Sequence, residues 1–309
     1  MSEKKQEREA GTGVRFLAAL GLIVTTMVWG GSFVAMKTSV EQVPPTWLLA
    51  FRFTLAAVLM GFLFVKQIRS ASRGAWAAGG TAGVFMELAY LFQTYGLKYT
   101  TASKNAFITT LYVVFVPFLL WIFLRKRPQL NQAAAAVLAV VGLALLSLKG
   151  DRGVNLGDGL TVLSGVCFAA HMILIDRFTK RHDPFFLTFV QTGTMAVLSW
   201  CLAPVLDGGM DPAPVFTADF AGSILYLAVL ATTGGFVLQN LGQKYLSANT
   251  ASILLSLESV FGALFSVWLL HERMTGRMVL GCGLMFAAVL LAEVKFEQVV
   301  VYCRKAQRS

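Results

Sequence analysis

Charge is scarce in this chain. Asp, Glu, Lys and Arg make up 14% of its 309 residues, against about 25% in ordinary soluble domains. So little polar surface excludes a soluble enzyme and a disordered scaffold. Cysteine is scarce too. Cys167, Cys201, Cys282 and Cys303 form no Cys-x-x-Cys pair, and the first three lie inside apolar runs, which argues against a disulfide framework or a zinc site. Catalytic motifs are also missing: there is no Gly-x-Ser-x-Gly and no paired-aspartate motif, and His271-Glu272 continues as Arg-Met-Thr without a second histidine. No Gly-x-x-x-x-Gly-Lys-Ser/Thr loop supports direct ATP use, and the loop 151–158 misses EF-hand spacing. The expectation is a protein that is not an enzyme and uses no cofactor and no metal. The net charge of +10 gives no nucleic-acid reading, because the basic residues fall in short clusters between apolar runs.

What the chain does have is apolar length: 56% of its residues are hydrophobic and its mean hydropathy is +0.67. A bilayer-spanning helix needs about 20 mostly apolar residues. Ten stretches meet this: 16–36, 46–65, 75–97, 105–124, 130–148, 156–175, 185–206, 220–243, 248–270 and 278–294. The first follows Lys4, Lys5, Arg8 and Arg15 as a signal peptide would, but it is too long for an h-region. It ends in Trp29-Gly30-Gly31-Ser32-Phe33 without a small-residue cleavage site, and reads as a spanning helix. Gly79 and Gly83 have the spacing that lets a neighbouring helix approach closely. Ser252, Ser256, Ser259, Ala263 and Ser266 make a small-residue stripe on the ninth stretch, read as a packing surface. Connections are short: 125–129 and 244–247 are turns, and 207–219 is the longest. No extramembrane domain fits, which places the function among the helices. With the N-terminus inside, Lys and Arg number 18 on the cytoplasmic side and 7 on the other. The positive-inside rule then gives a multi-pass plasma (inner) membrane protein with both termini cytoplasmic.

Shifted by 146 residues, the chain matches itself without gaps between 90–127 and 236–273, with ten identities in 38 positions. The identities include Gln93/Gln239, Gly96/Gly242, Lys98/Lys244 and Tyr99/Tyr245 in one register, which apolar coincidence does not readily supply. Pro44 and Pro184 match at the shorter offset of 140. Duplication assigns five spans to each half, and an odd number turns the second half upside down. Inverted repeats of this kind are a hallmark of secondary transporters, with the substrate site near the midplane between the halves. The expected architecture is an all-α membrane protein with ten transmembrane helices in two inverted five-helix repeats, 16–148 and 156–294.

Several short motifs occur in a fixed order: Trp29-Gly30, Phe51-Arg52-Phe53, Gly96-Leu97-Lys98-Tyr99-Thr100-Thr101-Ala102, and Leu257-Glu258-Ser259-Val260-Phe261 with Glu272. In that order and spacing the chain resembles the EamA-type members of the drug/metabolite transporter superfamily, over nearly its whole length. The resemblance implies a ten-helix carrier of small metabolites, often an amino-acid exporter. The chain departs from the usual pattern at Ser259, where proline commonly follows the glutamate, and at His271, where glycine commonly precedes Glu272. The first departure bears on how the ninth helix bends.

A charge at mid-bilayer costs about 2.5–3.5 kcal/mol on insertion scales, so each one asks for an explanation. Arg52, a turn or two in from the outer end of the second stretch, reads as snorkelling or as a structural ion pair. Glu87 lies mid-stretch with Tyr90 and Thr94 at i+3 and i+7; it reads either as a helix–helix hydrogen bond or as a coupling group. Glu258 lies near the centre of the ninth stretch, and its repeat partner is Tyr112. A desolvated carboxyl group there suits proton coupling or ammonium binding; the alternative is a buried glutamate that holds Arg52 or a backbone group. Trp29 and Tyr90 either stack on a substrate or sit among lipid tails. Gln93, Gln239, Asn240, Gln191 and His171 either line the cavity or bridge helices. The expectation is a secondary carrier of a small, amino-acid-like or amine-like metabolite, acting in efflux, with protons as the candidate coupling ion and the lipid bilayer as its surroundings. The competing class is a channel or a non-transporting membrane scaffold, neither of which shows saturation or counterflow.

Overall fold

The computed structural model describes residues 12–125, 130–147 and 155–293. Among these the chain is helical apart from short connections and contains no strand. An apolar chain in lipid must satisfy its peptide groups internally, and a helix does so within one segment. The helices are α1 (Thr12–Val40), α2 (Pro45–Leu63), the short α3 (Val65–Arg69), α4 (Arg73–Tyr99), α5 (Ala102–Thr109), α6 (Tyr112–Leu124), α7 (Leu130–Ser147), α8 (Leu156–Phe178), α9 (Pro184–Leu206), α10 (Ala218–Leu225), α11 (Gly235–Tyr245), α12 (Ala248–Ser256), α13 (Glu258–Leu269) and α14 (Gly276–Glu293). Residues Tyr226–Gly234, between α10 and α11, form a π-helical stretch. Polar connections start these helices. The side chains of Ser72, Thr101, Asn155, Asp183, Thr217 and Ser247 each accept the backbone N–H of the third residue on. Pro45 and Pro184 open α2 and α9, where a missing N–H costs nothing.

Seven helical runs are long and apolar enough to cross a membrane: Gly13–Val40, Pro45–Leu63, Ala102–Phe123, Leu156–Phe178, Pro184–Leu206, Ala218–Tyr245 and Thr250–Leu269. The other three expected stretches fall on α4, α7 and α14. Helix α4 has 27 residues, but glycines and the buried Glu87, Gln93 and Thr94 dilute its hydropathy. Helices α7 and α14 border segments outside the described residues, as do the two tails that the charge count assigns to the cytoplasm. The helices also overrun the apolar limits. Helix α1 reaches from Thr12 to Val40 rather than 16–36, because an established ladder extends readily through polar residues. The connection 207–219 holds a 3-10 turn at Ala213–Phe216.

Two of the expected spans are broken at matching places. The run 105–124 divides into α5 and α6 at Thr110-Leu111, and the run 248–270 divides into α12 and α13 at Leu257. Both breaks use tightened i→i−3 hydrogen bonds. Leu111 N donates to Ile108 O (3.1 Å) and Val114 N to Leu111 O (2.9 Å), while Leu257 N donates to Leu254 O (3.3 Å) and Val260 N to Leu257 O (3.1 Å). Each bond of the first pair lies 146 residues before its counterpart. Tightened turns inside helices often mark hinges, as π-helical stretches mark functional sites.

The helix contacts also come in couples. α4 packs on α8, and α11 on α1; α5 and α6 pack on α8 as α12 and α13 pack on α1; α4 packs on α9 as the π stretch packs on α2. α2 pairs with α9, and α7 with α14. Exchanging each expected span for the one five later maps this set onto itself. Several close approaches use glycine, two of them beside α9 and α13. A Cβ on Gly79 or Gly83 would run into Val190 or into Gln191 and Thr194 of α9, and one on Gly30 of α1 would strike Phe261 and Gly262 of α13. The stripe Ser252, Ser256, Ser259, Ala263 and Ser266 is buried throughout.

Candidate functional site between the two breaks

The breaks meet the middle of α1, α4, α8 and α11 around a cavity. Its walls are Trp29, Ser32 and Phe33 from α1, Tyr90 and Gln93 from α4, Thr109 and Tyr112 beside the first break, Phe168 and Met172 from α8, Gln239 from α11, and Leu255 and Glu258 beside the second break. About 20 Å³ is open to the centres of water molecules, room for a water or two, so this form encloses no space for a metabolite. Three pairs of wall residues stand 146 apart: Gln93/Gln239, Thr109/Leu255 and Tyr112/Glu258. The two glutamines differ in their partners, and the other two pairs differ in chemistry. Gln93 Nε2 donates to Thr109 Oγ1 (3.2 Å), whereas Leu255 offers nothing to Gln239, whose Oε1 has no partner among the described residues. The Tyr112 hydroxyl stands beside the Glu258 carboxyl, outside standard hydrogen-bond geometry. Aromatic rings close the rest: Tyr90 on Phe168 (5.4 Å between centroids) and Tyr112 on Phe168 (6.4 Å). Trp29 is fixed by a hydrogen bond from its Nε1 to Ala231 O of the π stretch (2.8 Å).

Six of the residues singled out from the sequence thus share one cavity: Glu258, Tyr112, Tyr90, Trp29, Gln239 and Gln93. Glu87 and His171 do not reach it. Glu87 Oε1 accepts from Ser199 Oγ of α9 (2.7 Å), so this carboxyl group ties α4 to α9. His171 Nε2 pairs with Gln191 Oε1 (3.1 Å), and Asn240 Nδ2 donates to Thr188 Oγ1 (2.8 Å); both are helix bridges. Arg52 departs from both of its readings. It is fully buried rather than snorkelling, and no carboxylate lies within ion-pair distance of it among the described residues. Its Nε donates to Thr232 Oγ1 of the π stretch (2.8 Å) and its Nη1 faces Met36 Sδ (3.1 Å). Its guanidinium carbon lies 4.7 Å from the Tyr90 ring centroid. Sequence reasoning missed Ser32, Phe33, Thr109, Phe168, Met172 and Leu255. The repeat offset points to Thr109 and Leu255 through each other, and Ser32 follows Trp29 by one turn, but no pattern marks Phe168 or Met172.

Besides bonds within the bundle, such as those of Trp29, Arg52 and Glu87 to the second half, polar contacts between the two halves gather at one end. There Lys104 Nζ meets Asp158 Oδ2 at 2.6 Å in a buried ion pair. Glu272 accepts Ala102 N (2.9 Å), Ser103 N (3.3 Å) and the Ser103 hydroxyl at the start of α5. Asp207 accepts Thr46 N (2.7 Å) and the Tyr95 hydroxyl (2.6 Å). At the opposite end the halves meet through rings, Phe64 on Phe185 and Trp76 on Phe186. The peripheral pair α7 and α14 is joined there by Asn131 Nδ2 donating to Leu291 O (3.2 Å).

Comparison with known proteins gives the same picture at the level of family. The model of the EamA-like transporter family matches residues 16–148 and again 155–293. An uncharacterized transporter of Archaeoglobus fulgidus is 32% identical over 94% of this chain and 90% of its own length. A "Probable amino-acid metabolite efflux pump" of Salmonella typhimurium is 27% identical, with 87% of this chain and 92% of that protein covered. The biotin transporter of Escherichia coli is 24% identical over 82% of this chain and 85% of its own. A protein of known crystal structure superposes with a TM-score of 0.68 at 17% identity, covering 89% of this chain and 96% of that one, a likeness of fold alone.

Proposed function

Because the chain belongs to the EamA-like transporter family of the drug/metabolite transporter superfamily, and is a multi-pass membrane transporter, we propose that it works as a secondary carrier by alternating access. Ten spans form two inverted five-helix repeats, 16–148 and 156–294, and the two halves rock about the cavity to open it to one side and then the other. The observation that carries this reading is the cavity itself, walled by residue pairs 146 apart beside two matching helix breaks. The exchangeable helix couples support it as well. With both termini in the cytoplasm, as the Lys and Arg count argues, the end latched by Lys104–Asp158, Glu272 and Asp207 faces outward. In this form the outward end is then held by hydrogen bonds and an ion pair, and the inward end by ring contacts and one hydrogen bond between α7 and α14.

The substrate is a small amino-acid-like or amine-like metabolite moved in efflux. A relative named for amino-acid metabolite efflux supports this, as does a wall of one carboxyl group, two amides and several rings, which suits an ammonium group with an apolar substituent. Glu258 takes either the ammonium group or the coupling proton. Tyr112, Tyr90, Trp29, Gln93 and Gln239 shape the pocket, and Glu87 acts on it only through the packing of α4 on α9. Counterflow in proteoliposomes tests the proposal: saturable uptake accelerated by internal substrate is expected. Unsaturable flux points to a channel, and no flux of any solute points to a scaffold.

A further inference from the structure

Arg52 is a buried cation with no carboxylate at ion-pair distance among the described residues. Removing such a charge from water is costly unless something answers it. Its surroundings show what it acts on. The guanidinium is anchored on Thr232 Oγ1 (2.8 Å), lies against the Phe53 and Tyr90 rings (5.4 and 4.7 Å from their centroids), and directs Nη2 at the Tyr90 hydroxyl oxygen (3.5 Å). A guanidinium has donors only. Tyr90 therefore accepts from Arg52, and its own O–H proton points elsewhere. That proton has no acceptor among the described residues, and Tyr90 is part of the cavity wall. Arg52 itself does not touch the cavity. The same cavity holds Glu258, an acceptor when ionised. One wall residue thus offers a donor polarised by a cation, and another offers an acceptor for a cation.

We infer that Arg52 is a positioning residue that sets substrate specificity through Tyr90, so that the carrier selects solutes bearing an accepting group, such as a carboxylate, beside an ammonium group. Neutral amino acids fit this demand, and the amines left by decarboxylating them meet only half of it. The inference rests on the carrier reading and narrows it. The bound carboxylate also supplies the counter-charge that Arg52 lacks among the described residues.

The test is counterflow of a panel of neutral amino acids against their decarboxylated amines, phenylalanine with phenethylamine and leucine with isoamylamine. Wild-type protein should prefer the amino acid by about tenfold or more in kcat/KM, the scale of one hydrogen bond to a charged group. Tyr90→Phe, which is nearly isosteric, should collapse that preference chiefly through the KM of the amino acid. Arg52→Gln should do the same, and Arg52→Lys, which keeps a charged donor, should restore part of it. A purely structural Arg52 would lower exchange of both solutes alike. An unchanged ratio in Tyr90→Phe, a wild-type protein indifferent to the carboxylate, or exchange of neither class overturns the inference. Failure of the carrier reading looks different: no solute of any class shows counterflow, and a single cysteine replacing Ser32 in a cysteine-free background reacts with impermeant thiol reagents from one side only.

Discussion

The helix breaks at Leu111 and Leu257 have the same backbone and open on different chemistry. Both tighten through the same two i→i−3 bonds, and both are preceded one repeat-equivalent helix earlier by a cap, Thr101 for α5 and Ser247 for α12. The first break then presents Tyr112 with Thr109, and Gln93 is already tied to Thr109. The second presents Glu258 with Leu255, and Gln239 is left with an oxygen that has no partner among the described residues. The lesson is a division of labour. On the proposed carrier reading, the shared backbone geometry supplies two exchangeable hinges for rocking, and the unshared side chains, with Glu258 as the acidic residue of the cavity wall, set the cargo chemistry.

Changes to the unshared side chains should therefore lower transport before they impair folding. The largest effect is expected from Glu258→Gln, which keeps shape and removes charge. Counterflow should fall by about tenfold to a hundredfold, the range for losing an interaction with a charged group, and the remaining activity should have a flattened pH profile. Wild-type rates with an unaltered pH dependence would remove Glu258 from the mechanism. Next in size is the latch. Asp158→Asn leaves Lys104 buried beside a neutral partner and should weaken the latched end, outward on the proposed orientation, by roughly 3 kcal/mol. External labelling of a cysteine at Ser32 should then rise, and unchanged labelling would show that the latch does not hold the gate. Tyr112→Phe on the first side should cost less than Glu258→Gln, about threefold to tenfold in apparent KM for a neutral hydrogen bond. An equal or larger loss would mean that the two walls contribute alike. The smallest effect is expected from Leu255→Thr, which gives Gln239 the partner that Gln93 has. A rise in KM of about threefold is expected from the modest net worth of one hydrogen bond, and a fall would mean that Gln239 is better pre-oriented than free.

The site was half legible in the chain. Glu258, Tyr112, Gln93 and Gln239 stood out because polar residues in apolar runs are conspicuous, and because the repeat offset paired them before any helix was placed. The same criterion selected Glu87 and His171, which turn to neighbouring helices at Ser199 and Gln191 instead. It left out Phe168 and Met172, since an apolar wall residue looks like any lipid-facing one. Arg52 shows the limit most plainly. Its anchor, Thr232, is 180 residues away in sequence, on a π-helical stretch that hydropathy does not distinguish from an ordinary helix.

Membrane residence, the positions of the apolar runs and the duplication at 146 residues follow from the chain alone, because each depends on local hydropathy or on self-similarity along the sequence. Which face of each helix turns inward does not. Lipid is as apolar as the protein interior, so no solvent preference orients an apolar helix, and packing between neighbours decides. The cavity, the partners of Arg52, Glu87 and His171, and the placing of the polar latch at one end alone all depend on that rotation, and they exist only in the folded bundle.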